Sequence, residues 1–233
     1  MNRYLLMDRL KSFLLDLIFP RRAVCMGCGS KLGCARDDLC EDCREKLAKG
    51  WVGVRHPEAR LQLDGAAYAY RYHGPAGGMV RNLKYRGVTV LADGMAGDLA
   101  RAVMGLQIEH KVLLTAVPMH PKRKQRRGMN HAEVLARALA DKLELEYSEL
   151  LMRTRNAPQQ ARLSHEERRH NLKDGFAVRP ECADMVRGAE VLLVDDVFTT
   201  GATAAACTQA LKRAGADKVY FAAYAYGERK KHG

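Results

Sequence analysis

An α/β fold is predicted for this chain: an open, mostly parallel sheet flanked by helices, with a small N-terminal metal-binding module in front of it. Three observations predict it. Val191–Val194 is an unbroken apolar run of the kind found in strands covered on both faces, and a helical pattern from Ala202 to Lys212 follows it. Lys111 to Val117 is a second apolar β run, again followed by a helical pattern that starts near Asn130. Near the N-terminus, Cys25-x2-Cys28 and Cys40-x2-Cys43 form two knuckles separated by 11 residues. A chain of 233 residues has room for one full α/β domain and one small module, drawn here as residues 51–233 and 1–50.

Residues 3 to 19 carry Leu6, Leu10, Phe13, Leu14 and Leu17 on one stripe of an amphipathic helix. Asp8, Arg9, Lys11 and Asp16 interrupt the apolar run, which argues against a signal peptide and against a transmembrane segment. A cytoplasmic protein is expected, with the stripe docked on the chain's own domain. In a reducing compartment the doubled Cys spacing reads as one tetrahedral Zn2+ site made by Cys25, Cys28, Cys40 and Cys43. Gly27 and Gly29 permit the tight knuckle turn. Four thiolates leave no open position for water, so the zinc is structural. It is also needed, because residues 1–50 hold too few large apolar side chains for a core of their own. Cys34 lies between the knuckles and could replace one ligand; Cys182 and Cys207 are isolated.

Asp64 to Tyr72 alternates as a strand, followed by a Gly74-Pro75 turn and helices from Gly77 to Lys84 and from Ala92 to Met104. After the strand Lys111 to Val117 comes a basic loop, Pro118 to Gly128, which contains His120, Lys122, Arg123, Lys124, Arg126 and Arg127. The helix from Asn130 to Leu145 places Val134, Leu135, Leu139 and Leu143 toward the core. Residues 153 to 180 are a long polar stretch with Leu163 and Phe176 as rare apolar anchors; its His165 and His170 have no metal spacing to any Cys and are read as surface residues. Lys218 to Tyr226 is the last strand and Gly227 to Gly233 a polar tail.

The densest chemistry follows Val194. Asp195 and Asp196 precede Thr199, Thr200, Gly201, Ala202 and Thr203 at the start of a helix. Hydroxyls, a glycine that lets the backbone come close and the unsatisfied N–H groups of a helix start make a cradle for an anion. Two carboxylates would repel phosphate, so their work is to accept hydrogen bonds from sugar hydroxyls, directly or through a metal. The combination suits a sugar phosphate. Neither a Gly-Lys-Ser/Thr loop nor a GxGxxG loop is present. In an open α/β sheet, the Thr-rich loop and the basic loop after two strands would share one ligand.

The segment Val191 to Thr203 resembles the phosphoribosyl pyrophosphate (PRPP) motif of type I phosphoribosyltransferases. The wider chain is similar to the ComF family, competence-associated proteins that join a four-cysteine module to a phosphoribosyltransferase-like domain. The resemblance rests on Phe19-Pro20, Leu83-Lys84-Tyr85-Arg86-Gly87, Val117-Pro118, Arg127-Gly128-Met129-Asn130, Gln160, Arg168, Asn171 and the DDVFTTGAT run. Met129 stands where the family usually has an aromatic, and the family's Thr near Ala157 is missing. The resemblance implies the type I phosphoribosyltransferase fold and binding of PRPP with Mg2+. Asp195 and Asp196 become the catalytic pair on the ribose hydroxyls, and Thr199 to Thr203 the seat of the 5'-phosphate. Pyrophosphate falls to Pro118, His120, Arg123 and Arg127, with Lys84 from the LKYRG match and Arg153, Arg168 or Arg169 completing the clamp. It also implies a link to uptake of single-stranded DNA and to competence-machinery proteins.

A net charge of +12 favours acidic partners, but an aromatic content of 6% gives little stacking platform for single strands. In purine-salvage relatives an acidic residue in the phosphate turn serves as general base; the matching position is Thr199, which does not accept that proton at neutral pH. A transferase, a PRPP-binding module that has lost transfer, and a PRPP-regulated single-stranded DNA-binding protein are the three readings.

Overall fold

The computed structural model describes residues 24–32, 38–57, 59–83, 88–108, 111–120, 124–125, 128–154 and 175–227. The helix expected over residues 3 to 19, Cys34, Lys84, Lys122, Arg123, Arg126, Arg127, the centre of the polar stretch with His165, Arg168 and His170, and the C-terminal tail after Gly227 lie outside the described residues. Five strands form one sheet in the order β1-β2-β7-β6-β3: β1 (Trp51–Arg55), β2 (Gly65–Arg71), β7 (Lys218–Tyr226), β6 (Glu190–Phe198) and β3 (Leu113–Ala116). All neighbours run parallel except β1, which is antiparallel to β2. The open, mostly parallel sheet is thus as expected.

The central position of β6 and β7 follows from their composition. Val191 to Val194 and Val219 to Ala225 are buried on both faces. Three alanines in β7 leave room for its large aromatic residues, and the hydroxyl of buried Tyr224 lies 3.1 Å from Met79 Sδ in the helix above. One core layer joins the sheet to α2 (Gly74–Leu83), α3 (Val88–Val103) and α4 (His131–Leu143); the other joins it to α6 (Ala202–Arg213). Leu135 and Leu139 are buried in the first layer, with Val134 and Leu143 packed at its margin.

Several boundaries differ from the expected ones. α2 begins at Gly74 rather than after a Gly-Pro turn, because Pro75 sits in the first turn, where its missing N–H needs no partner. α3 begins at Val88, four residues before Ala92; the β-branched Val88, Thr89 and Val90 weaken the helical signal there. β6 runs on through Asp195 and Asp196 to Phe198, since Asp195, Val197 and Phe198 keep partners Ala223, Ala225 and Tyr226 in β7. The carboxylates therefore belong to the end of the strand itself. The polar stretch has a structured base: β4 (Leu151–Arg153) pairs antiparallel with β5 (Phe176–Val178). A short helix α5 (Ala183–Val186) leads from there to β6.

The cysteine segment is followed directly by α1 (Glu41–Lys49), and the two lie against α2. Asn82 Nδ2 donates to the Met26 carbonyl at 2.7 Å, Arg71 N–H donates to the Gly50 carbonyl at 2.8 Å, and Leu47 is buried in the same core as Met79 and Leu83. No helix among the described residues is long and apolar enough to cross a membrane.

Candidate functional site

The turn between β6 and α6 is shaped by Gly201. Its φ is +74°, and a β-carbon there would stand 2.8 Å from the Phe198 ring and 2.9 Å from Leu61. Only glycine satisfies both the left-handed backbone and the close approach. The Gly227 N–H holds the Phe198 carbonyl at 2.8 Å on one side of the turn, and Arg60 Nη2 donates to the Thr200 carbonyl at 3.1 Å on the other. Thr200 Oγ1 accepts from the Ala202 N–H at 3.3 Å, and the Ala205 N–H makes the first helical bond to Gly201. The result is a small cavity of about 40 Å³ lined by Thr199, Thr200, Gly201, Ala202 and Thr203, with Asp195 at its edge. Its scale suits the terminal group of an anion rather than a whole ligand.

A larger cleft of about 210 Å³ opens beside it. Asp195, Asp196 and Thr203 line it from β6 and α6; Pro118 and His120 from the loop after β3; Asn130 and His131 from the start of α4; and Arg153 from β4. Asp195 borders both cavities, whereas Asp196 borders only the cleft. Asp195 Oδ1 accepts the Asp196 N–H at 2.8 Å, which fixes its carboxylate. Below lies fully buried Cys207; burial pushes its thiol well up, the nearby Asp195 charge adds to this, and Arg153 partly offsets it. That thiol stays protonated and packs as a small apolar group.

A third cavity, of about 330 Å³, shares Pro118, Met119, Asn130 and Arg153 with the cleft and reaches Lys124 and Gln125 of the basic stretch. Lys124 Nζ is 3.5 Å from Glu133 Oε2, and Glu133 also accepts from Arg137, which lies over the Tyr147 ring. Asp195, Asp196 and Thr203 line the cleft together with Pro118, His120 and Arg153, Thr199 to Ala202 line the small cavity beside it, and Lys84, Arg123, Arg127 and Arg168 are outside the described residues. Asn130 and His131 line the cleft; sequence reasoning used Asn130 as a helix start and within the family resemblance, and did not single out His131. Arg60, 140 positions from Thr200, carried no sequence signal.

The four knuckle cysteines come together. Their sulfurs lie within 4.8 Å of one another, and Cys28 Sγ is 3.8 Å from Cys40 Sγ. A tetrahedron with metal–sulfur bonds of about 2.3 Å has edges of about 3.8 Å, so the cluster could hold one metal ion. Burial opposes ionisation of Cys25, but N–H bonds from Cys40, Cys28 and Gly27 outweigh it and lower the thiol to about 6. Burial raises Cys43, and the neighbouring sulfurs raise it further. Crowded thiols that resist ionising together are what a cation at their centre relieves. Cys182 and Cys207 are not part of this group.

The phosphoribosyl transferase domain family matches residues 129–232. The DNA utilization protein YhgH of Escherichia coli O157:H7 is 34% identical over 155 residues, which are 64% of this chain and 66% of that protein. The chain thus spans just under two thirds of the length of such relatives. Competence protein F of Haemophilus influenzae is 25% identical over 84% of this chain and 93% of its own length. Competence protein ComFC of Bacillus subtilis is 24% identical over 81% of this chain and 78% of its own. Among solved structures, the adenine phosphoribosyl transferase of Trypanosoma brucei matches at 17% identity and a TM-score of 0.38, over 79% of this chain and 68% of that one. With a phosphoribosyl transferase domain behind a four-cysteine cluster, and competence proteins among its relatives along most of its length, the chain belongs to the ComF family.

Proposed function

We propose that the cleft binds PRPP together with Mg2+. The observation that carries this reading is that Asp195 and Asp196 line one cleft with Thr203 on one side and with Pro118, His120 and Arg153 on the other. The Thr199 to Thr203 turn seats the 5'-phosphate. The two carboxylates accept from the ribose hydroxyls, and the loop after β3 takes the pyrophosphate. Carboxylate oxygens at a partly exposed strand end are hard donors of the kind Mg2+ takes alongside substrate phosphates, and the ion would supply neutralisation of pyrophosphate charge. The chain's own part in transfer is positional. It holds the anomeric carbon in place while a nucleophile attacks and pyrophosphate leaves, and Arg153 offsets the charge that develops on the leaving group.

The Thr199 to Thr203 turn contains no carboxylate to act on a nucleobase, so the acceptor is left unassigned and a binding module without transfer fits the same site. The relatives are named for DNA utilisation and for competence; we propose that this chain works in that setting, in the cytoplasm, with single-stranded DNA and competence-machinery proteins as partners. We assign Zn2+ to the Cys25, Cys28, Cys40 and Cys43 cluster as a structural ion, which suits a closed set of four thiolates. Calorimetry with PRPP and Mg2+ on the wild type and on the double variant Asp195→Ala/Asp196→Ala tests the central reading. Binding is expected only in the wild type, and equal binding by both proteins would remove the site assignment. Pyrophosphate release with candidate acceptors then separates transferase from binding module.

A further inference from the structure

The asparagine at the start of α4 does not perform the usual task of its position. An N-cap asparagine normally accepts, through its side-chain oxygen, the N–H of the second or third helical residue. Asn130 has the extended backbone of an N-cap, φ −92° and ψ 113°, yet its side chain makes no capping bond. Instead its Nδ2 donates to the Val117 carbonyl at 3.0 Å. The partner is a carbonyl, so the amide orientation is settled by chemistry. The Asn130 residue is 7% exposed, and the bond is buried.

Val117 is itself held. Its N–H donates to the Val194 carbonyl at 2.9 Å, the residue before Asp195. The Asn130 carbonyl accepts the Val134 N–H at 3.1 Å in the first turn of α4. One side-chain bond therefore ties the start of the basic stretch to its end and ties both to the strand that carries the carboxylates.

We infer that Asn130 is a positioning residue for the pyrophosphate side of the cleft, acting through the Val117 carbonyl rather than by capping its helix. This rests on the reading of the cleft as a PRPP site. It predicts a split between ligands. Ribose 5-phosphate uses the carboxylates and the Thr-rich turn, whereas pyrophosphate uses the stretch that Asn130 anchors. In calorimetry with Mg2+, Asn130→Ala is expected to bind pyrophosphate and PRPP about tenfold more weakly, as loss of one buried hydrogen bond implies. Ribose 5-phosphate affinity is expected to stay within about twofold, since none of its contacts is removed. Equal loss for all three ligands would mean a general structural role, and no loss would mean no role; either overturns the inference. A wild-type protein that binds ribose 5-phosphate but not pyrophosphate overturns this inference and leaves the sugar-phosphate site standing. A wild type that binds none of the three overturns the proposed function and this inference with it.

Discussion

Gly78 on α2 lies against the Gly27 carbonyl of the first cysteine knuckle so closely that a β-carbon on Gly78 would overlap that oxygen. From the other side, a β-carbon on Gly27 would stand 2.9 Å from both Cys43 Sγ and Pro75 Cβ. The four-cysteine module is thus seated on the helix whose C-terminal end leads to Lys84, by backbone-to-backbone contact that two glycines permit.

Gly78→Ala should therefore cost more than an exposed-helix substitution, even though alanine is the better helix former. The obstacle is backbone, which cannot rotate away, so the knuckle must shift and lose the 2.7 Å bond from Asn82 to Met26. Overpacking of this kind costs about 1–3 kcal/mol. Thermal unfolding should show a melting point lower by several degrees, and an unchanged melting point would mean that the module is not seated there.

The metal cluster makes a second prediction. Protein purified without chelator should carry one zinc ion per chain, and Cys28→Ser should lose it. Cys28 is exposed, so this change disturbs little packing and isolates the contribution of the metal. Structural zinc can supply about 10 kcal/mol or more of folding free energy to a small module. Because Met26 and Leu39 pack on the shared core, chelation should lower the melting point of the whole domain as well as unfold residues near the knuckles. Stoichiometric metal analysis that finds no bound ion would refute the assignment.

The parts of this architecture that were legible in the sequence are those where one signal dominates. The β7 strand is Lys218–Tyr226 in both readings, because a long apolar run between charged ends has no competing pattern. The β6-turn-α6 unit was equally plain, apart from the strand's continuation through Asp195 and Asp196. There, polar residues masked a strand whose hydrogen bonds to β7 continue regardless of side chain. β1 was missed because Trp51 to Arg55 is mostly exposed and pairs on one side, so burial left no alternation to read. The three-residue β4 and β5 were hidden inside a polar stretch. Within the site, the contacts made by Asn130 and Arg60 join positions 13 and 140 residues apart, and no local pattern encodes such pairings.

Gly201→Ala tests the turn directly. At φ +74°, an alanine is strained by about 1–2 kcal/mol, and its β-carbon would also meet the Phe198 ring and Leu61. Phe198 is itself stacked on Tyr226 at 5.6 Å and has little room to yield. The expected result is a modest drop in melting point and at least a tenfold loss of ribose 5-phosphate and PRPP affinity, by about 1.4 kcal/mol or more. Retention of full affinity would show that the anion is not seated at this turn.

Glu133 offers a prediction of the opposite sign. Its carboxylate is shared by Lys124 at 3.5 Å and Arg137 at 3.1 Å, and Lys124 borders the cavity that adjoins the cleft. An anionic ligand entering there competes with Glu133 for the Lys124 ammonium. Glu133→Gln removes the competitor while Arg137 keeps Glu149 at 3.6 Å and its place over Tyr147, so the fold loses little. Partly exposed ion pairs are worth about 0–1 kcal/mol, which limits the stability change to that range. Pyrophosphate should bind about two- to threefold more tightly to the variant, with a steeper loss of affinity as salt is added. Weaker binding by Glu133→Gln would instead mean that Glu133 holds Lys124 in its working position.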